Sequence, residues 1–418
     1  MSQPRTALAD LRDERGTQTA RWRARSRVVL FPLAAYVATR ALVLLVIVFG
    51  PHRQVRVEDV AGYKQTSSPA TPGSLLDVLT SWDGQWYWDI VIHGYAASAT
   101  NSVGQPVQTN LAFFPLFPQL VSWTMDLTGA AFAPAAVATS TALGALGVTM
   151  VHLLIRTIVD ERRARGCVLL LCTFASSPIL SAAYTESLAL VLVALILLLL
   201  HRRAYLWAVP AVLLLGLTRN VVPPLLVVVL VHWVLQVRRH GRDHRRDLRL
   251  ALLTAAGIVA VGLWPVLAAL HTGEPTAYTS TLSAWPGFTG SIFRPAWVST
   301  AMRYPAVGVL LAIGGLGLWL ATRLLPGRRR WGPELATWAI AYPAYLLATT
   351  SPSFSILRYL ILAFPLGLLW LPDASSGAQL RRQRFALWGL AATGLVGQWF
   401  WVTKLLVYAG AHGGWGYP

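Results

Sequence analysis

The feature that most constrains this chain is an alternation of long apolar stretches with short clusters of arginine. The stretches fall at 28–50, 133–155, 167–183, 186–200, 204–217, 221–236, 250–270, 304–322, 335–350, 359–371 and 385–408. Crossing a hydrocarbon core of ~30 Å takes about 20 apolar residues. The shorter stretches therefore read as arms of hairpins, and 204–217 with 221–236 is flanked on both outer sides by basic clusters. Of the 35 Lys and Arg residues, 26 lie in the segment 1–27 or near 156–165, 202–203, 238–249, 323–330 and 381–384. The positive-inside rule assigns all of these to the cytoplasm. Every second loop then faces outward. This predicts an all-α, multi-pass protein with about 11 transmembrane helices, a cytoplasmic N-terminus and an outer C-terminus.

Composition agrees. Charged residues make up 12% of the chain and hydrophobic ones 55%, against about 25% and 45–50% in soluble domains. A water-soluble enzyme is excluded. The formal net charge of +18 does not indicate nucleic acid, because the basic residues mark loops rather than one face or recognition helix. Cys167 and Cys172 share one apolar stretch, which excludes a disulfide framework, and no metal-ligand spacing of Cys or His is found. The apolar stretch from Val28 is too long for a cleavable signal peptide. Residues 1–27 read as a basic cytoplasmic arm and 28–418 as a single transmembrane domain. Its two large outer loops are 51–132 and 271–303.

Chemistry concentrates in those outer loops. Ser81-Trp82-Asp83-Gly84-Gln85-Trp86-Tyr87-Trp88-Asp89 interleaves carboxylates with aromatic rings, as interfacial helices do. A carboxylate beside a low-dielectric surface can serve as a general base toward a hydroxyl, while aromatic faces suit the C–H faces of sugars. Asp83 has a second reading as the N-cap of a helix beginning at Gly84. Asp89, six residues on, projects about 240° away around a helix, so the two form no dyad. Asp89 and His93, at i and i+4, form a structural pair. Phe113-Phe114-Pro115-Leu116-Phe117-Pro118 reads as a shaped turn whose prolines prevent a regular helix start. Leu111–Thr128 reads as re-entrant or interfacial, because a crossing there would place Arg156–Arg165 outside.

Tyr184-Thr185-Glu186-Ser187 puts a carboxylate at an outward turn between two apolar runs. It is either a functional group or part of a hydrated turn with Ser187 as a cap. Thr218-Arg219-Asn220 and Arg358-Tyr359 each place a guanidinium at the outer boundary. There it can hold a lipid phosphate bidentately or snorkel to head groups. Arg40, inside the first stretch, requires a buried partner, for which Glu186 is a candidate. The absence of a Gly-rich phosphate loop, HExxH or Asp-x-Asp motif disfavours a soluble nucleotide-sugar donor.

These elements resemble, in order over residues 28–371, the signatures of the PIG-V family of GPI mannosyltransferases and their bacterial relatives. Trp82-Asp83-Gly84-Gln85-Trp86-Tyr87 with Gly94-Tyr95 is similar to the family's WD-x-x-W/F-Y…GY pattern. Phe113–Pro118 is similar to its FFPxFP element, Tyr184–Ser187 to its Y-[ST]-E-S turn, and Thr218–Asn220 and Arg358-Tyr359 to its arginine-bearing hairpin and late Arg-Tyr. The resemblance implies a C-type glycosyltransferase (GT-C) fold in the plasma membrane, with an exoplasmic active site. It also implies a polyprenyl-phosphate-linked mannose donor, a lipid, glycan or protein acceptor, and inverting transfer; the sequence itself gives no reason to require a cofactor or a metal, though some members of the superfamily use a metal. Asp83 is then the catalytic base. Arg219 and Arg358 hold phosphate, Glu186 lines the site, and Trp82, Trp86, Tyr87, Asp89, Asn220 and Tyr359 contact substrate. The alternatives are a polytopic lipid or solute transporter and a GT-C enzyme using another lipid-linked sugar. A transporter predicts inverted repeats, which the sequence lacks.

Overall fold

Long runs of leucine, valine and alanine without two-residue alternation favour helices, and helices carry this structure. The computed structural model describes residues 29–49, 69–285, 302, 331–350, 353–374 and 376–408, and elements are numbered over these. The expected arm 1–27 and the crossing 304–322 lie outside the described residues, as do 51–68 and 286–301. Helix α1 is Val29–Phe49. Then follow α2 (Leu75–Thr80), α3 (Asp83–His93), α4 (Leu116–Thr128), α5 (Phe132–Ile158), α6 (Glu161–Thr173), α7 (Glu186–His201), α8 (Tyr205–Gly216), α9 (Val222–His240), α10 (His244–Thr272) and α11 (Ala277–Ser283). Past the gap come α12 (Gly332–Thr349), α13 (Ser355–Tyr359) running into a 3-10 segment Leu360–Trp370, and α14 (Gly377–Trp401) running into a π-turn Val402–Leu406. Among the described residues there is no strand, only an isolated bridge between Thr100 and Pro106.

Five of these helical stretches are long and apolar enough to cross a membrane: Val29–Phe49, Phe132–Ile158, Val222–His240, His244–Thr272 and Gly377–Leu406. Helices rising from the basic clusters begin at polar caps. Asp160 accepts from the Arg163 amide, Asp243 from Arg246 and Ser376 from Gln379, satisfying donors that a first turn leaves open. Helix α7 is apolar around its whole circumference and is buried along nearly all its length, as such a helix must be. It packs against α5 and α8, while α8 lies on α10 and α12 on α9. Small residues permit the closest crossings. A Cβ on Gly216 would stand 2.4 Å from the Ala260 carbonyl, and one on Gly394 2.2 Å from the Thr173 carbonyl.

Three local expectations need correction. The stretch 167–183 is not one continuous helix: α6 starts earlier, at Glu161, and ends at Thr173, and a 3-10 turn Ser177–Ser181 follows. The break frees carbonyls in the core, and Arg40 reaches them rather than Glu186. Its Nη2 donates to the Ser177 hydroxyl at 2.7 Å and the Cys172 carbonyl at 3.3 Å, and its Nη1 to the Ser177 carbonyl. Gln398 Nε2 adds 2.7 Å bonds to the same Cys172 carbonyl and Ser177 hydroxyl. Finally, Pro115 and Pro118 do not prevent a helix start, since α4 begins between them at Leu116. Proline is tolerated in a first turn because the amide it lacks has no partner there. Helix α4 spans 13 residues and is closed by left-handed Gly129, too short to cross a bilayer squarely.

Replacing Gly216 by valine should force α8 away from α10. We expect a loss of about 1–3 kcal/mol from overpacking, read as a lower melting temperature in detergent.

Candidate active site

Four charged side chains from four separate elements meet at one end of the bundle. Asp83 is the first residue of α3, Glu186 the first of α7, Arg219 stands at the tip between α8 and α9, and Arg358 lies in α13. Asp83 does not cap α3: Trp82 occupies the cap position, and the Asp83 carboxylate instead accepts from Arg358 Nη1 at 2.7 Å. Glu186 Oε1 lies 2.5 Å from Arg219 Nη1 and 3.5 Å from Arg358 Nε. One carboxylate thus spaces two guanidinium groups. Neither Glu186 oxygen receives an aligned hydrogen bond, so the attraction is coulombic. At the N-terminus of α7 the carboxylate also meets the positive end of the helix dipole. Ser187, expected as a cap, donates instead to the Leu180 carbonyl.

Tyrosines surround the pair of cations. The Arg219 guanidinium carbon sits 4.5 Å from the Tyr359 ring centre, and that of Arg358 5.1 Å from the rings of both Tyr359 and Tyr184. Arg358 Nη2 also donates to the Tyr359 hydroxyl at 3.2 Å. Cation–π contacts of this kind hold planar guanidinium groups face-on at low hydration. Two tyrosines of α12 fix the backbone beneath: the Tyr342 hydroxyl donates to the Tyr359 carbonyl at 2.9 Å and Tyr345 to the Asn220 carbonyl at 2.8 Å. Arg219 Nη1 also donates to the Thr185 hydroxyl at 3.3 Å, and Tyr87 is hydrogen-bonded to the same residue.

Exposure separates the roles. The side chains of Asp83 and Arg219 are 21% and 18% exposed, whereas Glu186 is 1% exposed. Asp83 and Arg219 can therefore touch a ligand directly, and Glu186 acts as the sealed counter-ion. Burial raises the Asp83 carboxyl above the ordinary carboxylate range, opposed by Arg358 and reinforced by Glu186. Burial likewise raises Tyr87, keeping its phenol protonated.

The remaining expected site residues are placed as follows. Trp86 is buried, stacked on Phe113 at 5.7 Å and edge-on to Trp285 at 5.3 Å. Tyr87 packs edge-on against Phe113 and Phe117. Trp82 is buried against the C-terminal segment, its indole N–H donating to the Leu406 carbonyl at 3.0 Å. Asp89 stands apart from the cluster, accepting from Asn110 Nδ2 at 2.7 Å and lying 3.0 Å from His93 Nδ1. Asn220 is exposed, held through its backbone. Tyr184, Thr185, Tyr342 and Tyr345 were missed as site residues. The first two lie inside the Tyr184–Ser187 motif, and the second pair had a signal in its i, i+3 spacing on one helix face.

No family model matches this chain, and no curated protein matches it. Solved structures do. ArnT from Cupriavidus metallidurans, in the apo state, superposes with a TM-score of 0.51 at 19% identity, covering 89% of this chain and 64% of that one. Its complex with undecaprenyl phosphate gives 0.51 at 19% identity, with 89% and 65% coverage. The archaeal oligosaccharyltransferase AglB from Archaeoglobus fulgidus, with an inhibitory peptide and a dolichol-phosphate, gives 0.50 at 12% identity, with 91% and 56% coverage. The chain therefore spans less than two thirds of the length of these neighbours. Their similarity shows the architecture alone: this chain shares the helical fold of ArnT and AglB.

Replacing Glu186 by alanine should leave Arg219 without its carboxylate partner and Arg358 with Asp83 alone. We expect destabilisation of about 3–5 kcal/mol, measured by thermal unfolding in detergent. Asn220→Ala, on an exposed side chain, should change stability by less than about 0.5 kcal/mol.

Proposed function

We propose that this protein transfers a sugar from a polyprenyl-phosphate donor to a hydroxyl of a lipid, glycan or protein at the outer face of the plasma membrane. The observation that carries this reading is the contact between Asp83 and Arg358, with Arg219 joined to the same cluster through Glu186. A base and a pair of anion-binding groups stand side by side, as displacement of a phosphate by an alcohol requires. The undecaprenyl phosphate and dolichol-phosphate bound by the structural neighbours support a lipid-phosphate carrier here. This support is by fold analogy. Mannose as the sugar follows from the family resemblance of the motifs.

In the proposed reaction the acceptor O–H gives its proton to Asp83. The oxygen forms a bond to the anomeric carbon while the bond from that carbon to the phosphate oxygen breaks on the opposite face. The electron pair leaves with the phosphate, and Arg219 and Arg358 hold the charge that develops. Inversion at the sugar carbon follows from this single displacement. Arg358 has two partners in turn. At rest it pairs with Asp83, and an arriving phosphate draws on the same guanidinium, leaving the carboxylate more basic for the acceptor. The cluster carries two positive and two negative groups, so the lipid phosphate supplies the charge that tips this balance.

The test is transfer by purified protein from polyprenyl-phosphate mannose. Asp83→Asn should lower kcat by about 10²–10⁴-fold with little change in donor KM. Normal turnover at normal expression overturns the role of Asp83. The pH profile supplies a second check. Asp83 must be ionised to act, and its pKa is raised by burial, so activity should be full at high pH and fall as pH drops through that raised value. The acid limb should therefore lie above the ~3.9 of a free aspartate.

A further inference from the structure

We propose that Trp82 is a positioning residue. Clamped by the segment Val402–Tyr408, it sets the Asp83 carboxylate opposite Arg358. The catalytic consequence rests on the transfer reading above; the placement itself does not.

Three observations converge on this. Trp82 adopts φ 56° and ψ −115°, a region that a residue with a β-carbon rarely enters and that persists only where its surroundings impose it. Among the described residues Arg203 is the one other non-glycine with positive φ. The constraint is visible. The Trp82 side chain is 3% exposed, its indole N–H donates to the Leu406 carbonyl at 3.0 Å, and its ring meets Tyr408 edge-on at 5.8 Å. The Leu406 carbonyl belongs to a π-turn, a wide turn frequent at functional positions.

The effect of the turn is on the next residue. Helix α2 ends at Thr80, and the chain turns through Ser81 and Trp82, so α3 starts at Asp83 with its carboxylate at the helix mouth. On the other side the turn is pinned by the Ala183 amide, which donates to the Leu79 carbonyl at 2.7 Å. Gly84 sits against Ala183, where an added Cβ would come within 3.2 Å. Ala183 lies three residues before Glu186. The strained tryptophan is thus held between the turn that carries Glu186 and the last helix of the described chain. Its indole N–H is taken up by that anchoring and its side chain is 3% exposed, which favours a positioning role over stacking on a sugar.

The experiment uses the full-length protein with Trp82→Phe, which keeps an aromatic ring and removes the indole N–H, and independently Tyr408→Leu. Each should lower kcat for transfer by about 10–100-fold, the scale of a small misplacement of a reacting group, with donor KM within about threefold of the parent, and should shift the acid limb of the pH profile. A readout without turnover accompanies it: the non-additivity of melting temperature for Asp83→Asn and Arg358→Gln, singly and together. That coupling should shrink in the Trp82→Phe background and persist in Trp388→Phe, a control on an exposed side chain of α14. Unchanged kcat, pH limb and coupling in both variants would overturn the proposal, as would a rise in donor KM alone, the mark of a sugar-stacking residue. If the parent protein transfers no sugar while the coupling still depends on Trp82, the positioning role stands and the transfer reading falls.

Discussion

Ionised groups withdrawn from water must be paired, and here one sealed carboxylate has to serve two guanidinium groups. Everything about the arrangement of this end of the bundle follows from that demand. Glu186 can hold Arg219 and Arg358 only if the tip between α8 and α9 and the short helix α13 both reach the N-terminus of α7. Arg358 in turn has a second face, and Asp83 fills it. None of the four sits in the middle of a long helix. Helix ends and tips are where polar backbone, dipole and side chain can be satisfied together, and a site built there can remain open on one edge while its counter-ion is closed off.

Much of this was legible from the sequence because a charge in an apolar run stands out. Asp83, Glu186, Arg219 and Arg358 each break the local pattern, and the resemblance of the surrounding motifs to a known family gives a reason to consider them together. What no pattern discloses is direct contact across 275 positions between Asp83 and Arg358, which depends on how the helices pack. Asp89 shows the opposite failure. It shares the aromatic setting of Asp83, yet Asn110, in a 3-10 turn 21 positions on, takes its carboxylate. The break in α6 had a signal in Ser176-Ser177-Pro178, but hydropathy alone runs straight through it. The backbone of Trp82 had none, since nothing in a tryptophan announces positive φ.

The structural neighbours share this helical frame at 12–19% identity, so the frame tolerates replacement of most of its side chains. Packing asks only for apolar bulk and small residues at the close crossings. The charged cluster obeys stricter rules, because its partners must match in sign, length and direction. Frame and cluster therefore inform different questions: one the architecture, the other the chemistry.

Arg40 carries a consequence for how such a chain is made. Its partners are carbonyls and a hydroxyl around Ser177, 137 residues later. At about 5–20 residues per second of synthesis, that interval of 137 residues lasts roughly 7–27 seconds. Throughout it the first helix holds an arginine with nothing to receive its protons. A cation at mid-helix costs about 2.5–3.5 kcal/mol on insertion, and the acceptors that offset this cost are in place only once the segment from Cys172 to Ser177 has been made.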